Sequence, residues 1–284
     1  MLVTLKEILK IAEARKCALG SFNTPSLTSL RAVIAAAEEL NEPVIIMHAQ
    51  LHEDMGICKL DEIGPIMLFM ADRAKVPVCV HLDHGTDFDY VKRGLDIGFT
   101  SIMYDGSEHG EKMNFVNTSI VVEMAARTGA SVEGEIGSMG EREDGTKIVR
   151  EDTADDESIY TDPETAKLFV EETGIDALAC AFGTVHGLYV KEPKLDFERL
   201  AKIKELVDVP LVVHGGSGMS DEDTREIIRL GIRKVNYYTY MAKAGANAIM
   251  ETEKKIYLHD MELAAMEGIK QDVQRAIKLY TAEV

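Results

Sequence analysis

PVCVHLDHGTDFDYVKRGLDIGFTSIMYDGS, residues 77–107, is the stretch on which the fold turns. A β-branched run (77–85) leads into FDYVKRGLDIG (88–98), whose apolar residues repeat at three-to-four spacing, and then into a second short apolar run, SIMYDGS (101–107). The first and last patterns are those of buried strands, and the middle one is that of an amphipathic helix. Gly98 stands where a helix C-terminus favours a left-handed residue. A helix between two strands returns the chain to the end of the sheet it left, so the second strand runs parallel to the first.

The unit repeats along the chain. Apolar runs recur at 18–23, 43–49, 77–85, 101–107, 131–137, 177–187, 210–218 and 234–239, separated by helical patterns at 26–40, 60–75, 88–98, 113–129, 162–174, 197–207 and 221–231. Eight such strands predict an α/β fold, a single (β/α)8 TIM barrel over residues 1–284, with additional C-terminal helices from 240 to 281. An open doubly wound sheet has the same alternation, but its usual G-x-G-x-x-G after the first strand is missing. Thr4 and Glu7 have capping-box spacing ahead of Leu5, Ile8, Leu9 and Ala12, which reads as an amphipathic first helix rather than a secretory leader.

Composition narrows the partners. The 284 residues carry a net charge of −18, and a surface poor in Lys and Arg suits neither nucleic acid nor an anionic membrane. No apolar run reaches the roughly 18 residues of a membrane span, so a cytoplasmic protein is expected. Cys17, Cys58, Cys79 and Cys180 form no C-x-x-C pair and stand among apolar neighbours, which predicts buried reduced thiols.

In a barrel of this kind the catalytic groups come from the C-terminal ends of the strands. Five consecutive runs deliver titratable groups there: His81-Leu82-Asp83-His84-Gly85, Asp105, Glu133 with Glu135, His186-Gly187 and His214-Gly215-Gly216-Ser217. Imidazoles from three strands, His84, His186 and His214, suit a three-histidine zinc site with an open position. Strand alternation puts His81 and Asp83 on one face and Leu82 and His84 on the other, so His84 joins Asp83 only if the strand breaks at Gly85. Asp83 is then a site carboxylate and His81 structural support. His48, His52, His109 and His259 lack that placement and read as ordinary core or surface residues.

Gly215, Gly216, Ser217 and Gly218 precede a helix marked by Ser220 and Asp223, a loop suited to cradling a phosphate with amides and a hydroxyl. Asn236 and Thr239 at the end of the last strand can close the same pocket. The acidic stretch 138–160 follows the fifth strand and reads as a long mobile loop. A Lewis-acidic metal beside an acid/base carboxylate and a phosphate anchor suits proton removal next to a carbonyl, and it also suits hydrolysis by metal-bound water. A non-catalytic sugar-phosphate sensor on the same scaffold is a third reading.

HLDHG, YDGS, EGEIG followed by GEREDG, YTDPETA, AFGTVHGLY, PKLDFERL and PLVVHGGSG, in that order, resemble the class II, zinc-dependent ketose-bisphosphate aldolases of the fructose and tagatose type, from about residue 5 to 280. The resemblance implies reversible cleavage of a ketose phosphate to dihydroxyacetone phosphate and an aldehyde. It implies Asp83 as acid/base, Glu143 as the loop carboxylate exchanging the carbon-bound proton, and His84, His186 and His214 as zinc ligands. Asp105 and Glu135 match a second or alternative metal position, and Gly187, Gly215, Gly216, Ser217, Asn236, Tyr237, Tyr238 and Thr239 match the dihydroxyacetone phosphate site. A monovalent cation, Na+ or K+, near the phosphate and a homodimer or homotetramer are further implications. Two departures stand out: MHAQLHEDMG after the second strand, where the family usually has a Ser-containing segment, and Tyr237-Tyr238 where it has small or aliphatic residues. Arg275 in the final helix is a candidate for a second phosphate, reached across a subunit interface, or a plain surface charge.

Overall fold

The computed structural model describes residues 1–106, 109–137, 160–184, 194–253 and 256–282. Eight parallel strands close into a barrel: β2 (Leu19–Asn23), β3 (Val44–Ala49), β4 (Val78–Gly85), β5 (Ser101–Tyr104), β6 (Ser131–Ile136), β7 (Ala177–Cys180), β8 (Leu211–Val213) and β9 (Ile232–Tyr237). Closure is made by β2 pairing with β9 and by β4 pairing with β5. A ninth strand, β1 (Leu2–Val3), pairs with β4 at Val78 and Cys79; two residues are too few to show a period in sequence.

Alternation sorts each strand into two environments. On β4, Val78, Val80 and Leu82 face outward into the large apolar layer beneath the helices, while Cys79 faces inward. The barrel floor is apolar: Leu19, Ile45, Met47, Cys79, Ala177, Ala179 and Val212 pack with Leu5, Ile8, Leu9 and Ala12 of α1 (Leu5–Arg15). The capping box read from Thr4 and Glu7 is present, so α1 starts where its apolar stripe meets that floor. Cys17, Cys79 and Cys180 are buried free thiols, whereas Cys58 is half-buried.

Outside the barrel lie α2 (Leu27–Leu40), α3 (Gln50–Asp54), α4 (Leu60–Arg73), α5 (Phe88–Ile97), α6 (Glu111–Ala126), α7 (Pro163–Thr173), α8 (Phe197–Leu206) and α9 (Asp221–Arg229), followed by the C-terminal helices α10 (Thr239–Glu251) and α11 (Leu258–Thr281). Five of these ten start with a polar side chain bonded to the N3 amide: Ser26, Asp87, Asp162, Asp196 and Ser220. No described helix is long and apolar enough to cross a membrane.

The packing between barrel and helices leaves little slack. A Cβ built on Gly134 of β6 would sit 2.8 Å from Phe169 Cε1 and 3.0 Å from Ile175 Cδ1. Gly134→Val should therefore cost about 1–3 kcal/mol, seen as a lower urea midpoint with an unchanged slope.

Candidate active site and metal centre

The upper half of the barrel is polar where a barrel core is usually packed with branched aliphatic residues. Ser21, Asn23, His81, Asp83, Ser101, Glu133, Glu135, His214, Lys234 and Asn236 are all buried. Their positions are two apart on the strands, the parity of inward-facing residues.

A buried ion pair lies at the centre. Lys234 Nζ is 2.8 Å from Glu133 Oε2 and donates to Asn236 Oδ1 at 2.7 Å. Both ionic side chains are fully buried. Burial alone would raise the Glu133 pKa, but Lys234 and His214 outweigh it and hold the carboxyl well below the usual range. Glu133 Oε1 lies 2.9 Å from His214 Nε2, which fixes the rotation of that ring. His81, against Ser101 Oγ at 2.7 Å, has its pKa pushed down to about 3 by burial and then by Lys234. Its parity is that of Asp83, and its ring, held neutral, braces the network from below.

From this base the network rises to Asp83. Asn23 Nδ2 donates to Asp83 Oδ2 at 2.9 Å, and Asn236 Nδ2 donates to Oδ1 at 3.1 Å. Burial pushes the Asp83 pKa up, yet His84, His214 and Lys234 more than reverse it, so the carboxyl stays ionised.

His84 reaches the same space through a break in β4. Its φ is +45°, and the β4–β5 register shifts between Leu82 and Gly85. The break needed to turn His84 inward therefore falls on His84 itself, one residue before Gly85. His84 Nδ1 lies 2.9 Å from Asp105 Oδ2, and the His84 and His214 rings are 4.7 Å apart at 76°. Burial lowers the His84 pKa, but Asp83 and then the Asp105 hydrogen bond raise it to about 9.

Two overlapping sets of donor atoms result: Asp83, His84 and His214, and His84, Asp105 and Glu135, each within 4.8 Å. His214 Nδ1 is 3.3 Å from Glu135 Oε2, an oxygen with no hydrogen-bond donor among the described residues. Burial and then Asp105 push the Glu135 pKa up to about 8. Three carboxylates crowded around two imidazoles, one of them too repelled to ionise readily, form a donor set that a divalent cation fits. His186, Gly187 and Glu143 lie outside the described residues.

The pocket above Asp83 runs between two poles. One is made by Gly215, Ser217 and Thr239, with α10 starting at Thr239. Gly215 has φ +70°, and Ser217 Oγ accepts the Tyr238 amide at 3.3 Å. Gly216 plays another part: its N–H donates to Asn236 O, and a Cβ there would come within 2.4 Å of Val235, so it docks the loop on β9. Tyr237 touches the pocket, but its hydroxyl donates outward to Asp272 at 2.8 Å and accepts from Arg275 at 3.0 Å. Arg275 also faces Asp221 and lines a neighbouring cavity behind the loop.

The other pole comes from Ala49 at the end of β3 and from Gln50, His52 and Asp54 of α3. His52 is buried there, although its sequence context marked it as ordinary. Asn23 and Lys234 were also overlooked. Inward strand parity, shared with Ser21 on β2 and with Asn236 on β9, is the signal that finds both.

Lys234→Met should destabilise by about 3–5 kcal/mol in urea unfolding, because it leaves Glu133 buried without its cation. Lys234→Met with Glu133→Gln should regain part of that loss.

Comparison with known proteins gives one consistent answer. The model of the family described as fructose-bisphosphate aldolase class-II matches residues 3–283. A fructose-bisphosphate aldolase of Geobacillus stearothermophilus is 41% identical over 88% of this chain and 85% of its own length. One from Staphylococcus aureus is 37% identical over 98% of this chain and 97% of its own. The crystal structure of the YdjI aldolase of Escherichia coli K12 superposes with a TM-score of 0.87 at 34% identity, covering 99% of this chain and 97% of that one.

Proposed function

The chain belongs to the class-II fructose-bisphosphate aldolase family, a family of lyases, and from that premise we propose that it cleaves a ketose phosphate reversibly into dihydroxyacetone phosphate and an aldehyde. The observation that carries the reading is Asp83, a buried carboxyl gripped by two amides and set beside the imidazoles of His84 and His214.

In cleavage, Asp83 accepts the proton of the hydroxyl next to the breaking carbon–carbon bond. The O–H pair becomes the aldehyde carbonyl, and the electrons of the broken bond move toward the ketone. In synthesis the same carboxyl returns the proton to the aldehyde oxygen. A carboxyl held ionised is ready to receive, and one with a depressed pKa gives the proton back easily. Glu143 is assigned the proton on the nucleophilic carbon.

His84, His186 and His214 would hold a divalent cation, with Asp105 and Glu135 as a second or alternative position; zinc is the ion we assign. When bound, such a cation supplies a Lewis acid beside the ketone oxygen, where negative charge gathers. The phosphate is assigned to Gly187, Gly215, Ser217 and Thr239, at the helix N-terminus of α10, with a Na+ or K+ ion beside it. Gly216 holds that loop in shape, Asn236 orients Asp83, and Tyr237 and Tyr238 wall the pocket. We further assign the chain, as one barrel domain, to a cytoplasmic homodimer or homotetramer.

The metal-loaded protein should exchange a carbon-bound proton of dihydroxyacetone phosphate with deuterated water and condense it with members of an aldehyde panel. Asp83→Ala should retain metal and lose cleavage by about 10²- to 10⁴-fold; full turnover in that variant removes Asp83 from the mechanism. His214→Ala should lower metal content, measured by elemental analysis of the purified protein.

A further inference from the structure

The end of the pocket away from the phosphate pole is built on α3, and α3 is tightly pinned. Gln50 donates to Asp87 at 2.8 Å and accepts the Thr86 amide at 2.8 Å, so its side chain is spent on tying the helix to the loop after β4. Glu53 accepts the Leu60 amide at 2.7 Å and pairs with Arg93 at 3.0 Å. The His52 carbonyl accepts the Ile57 amide at 2.9 Å. His52 thus has a fixed backbone on a fixed rim.

Its ring is held as firmly. The residue is 4% exposed and packs edge-on to Tyr238 at 4.9 Å and beside His48 at 6.2 Å. His48 has both nitrogens engaged, with Tyr90 Oη and with Cys58 O, which accounts for it as a core residue. His52 differs: Nδ1 has no hydrogen-bond partner among the described residues, although the side chain is buried and lines the pocket. A buried polar atom without a partner is costly, and a ligand group that pairs with it recovers the loss. Burial, and then His48, lower the His52 pKa to about 4, so the ring is neutral at pH 7 and offers one donor and one acceptor.

Charge decides what kind of group can approach. No described residue lining the pocket is lysine or arginine, and Asp54 adds a carboxylate at this end. Arg93 is occupied by Glu53 and Asp61, and Arg275 faces Tyr237 and Asp272 in the cavity behind the Gly-rich loop. A phosphate on the aldehyde would meet a neutral imidazole and a carboxylate, whereas a hydroxyl would meet a donor and an acceptor.

Resting on the aldolase reading above, we propose that His52, braced by Tyr238, is a specificity-determining residue that hydrogen-bonds a hydroxyl of the aldehyde half, and that this half is a neutral hydroxyaldehyde rather than a phosphorylated one. The substrate then carries its single phosphate on the ketone half.

The test uses the full-length, metal-loaded enzyme with dihydroxyacetone phosphate and three aldehydes: glyceraldehyde, glyceraldehyde 3-phosphate and propionaldehyde. Wild type should prefer glyceraldehyde over its phosphate by at least about tenfold in kcat/KM; the reverse preference overturns the proposal. His52→Phe should lose about tenfold on glyceraldehyde, the scale of one hydrogen bond to a substrate hydroxyl, with little change on propionaldehyde. His52→Gln, which restores a donor and an acceptor, should recover most of that loss. Equal losses on glyceraldehyde and propionaldehyde would reduce His52 to a structural role and overturn its assignment. Proton exchange on dihydroxyacetone phosphate should stay within about twofold in both variants. Exchange absent from wild type itself would bring down the aldolase reading, and this proposal with it.

Discussion

The Asp83 and His214 side chains at the mouth of the barrel rest on the ion pair between Lys234 and Glu133 in its interior. Two charges so deep are expensive to desolvate, and their attraction offsets that cost only when the remaining polar atoms are also paired. Here the pairing runs upward. Lys234 bonds Asn236, which bonds Asp83, while Glu133 bonds His214. One charged pair therefore sets the orientation of the Asp83 carboxyl and of an imidazole in the candidate metal centre, and a rigid sheet fixes the distance between them.

The barrel separates stability from chemistry along its axis. Its floor, closed by α1, is apolar and holds Cys79, whose thiol burial pushes up to about 12. Its upper half gives up aliphatic packing for a polar network that carries the site. Burial there works in opposite directions on neighbouring groups: Asp83 stays ionised because cations surround it, whereas Glu135, next to Asp105, is driven toward the protonated form. A cation placed between Asp105 and Glu135 relieves that crowding, which ties metal affinity to the same electrostatics.

The pocket is asymmetric for a physical reason. One pole uses backbone geometry, a left-handed Gly215 and the start of α10, which suits an anion. The other uses side chains on a short helix pinned by Gln50 and Glu53, where the groups on offer are a neutral imidazole, a phenol ring and a carboxylate. Glycines in the first pole serve two ends: Gly215 supplies the turn, and Gly216 lets the loop lie against β9.

Periodicity alone determined the eight strands of the barrel, the α1 capping box and the helices that follow β9, because period-two and period-3.6 burial are local consequences of backbone geometry. Strand-end polarity likewise marked Asp83, Asp105, Glu135 and His214. Only the tertiary structure decided which of them meet. Strand parity points His84 away from Asp83, and its left-handed backbone, at a shift in the β4–β5 register, turns it back. Inward parity marks the positions of Lys234 and Asn23, but Glu133 and Asp83, the carboxylates they meet, sit on other strands, so the pairings are not written in adjacent sequence. His52 looked like any helical histidine, because its place in the pocket depends on where α3 is tied to the loop after β4, a contact between residues 36 and 37 positions apart.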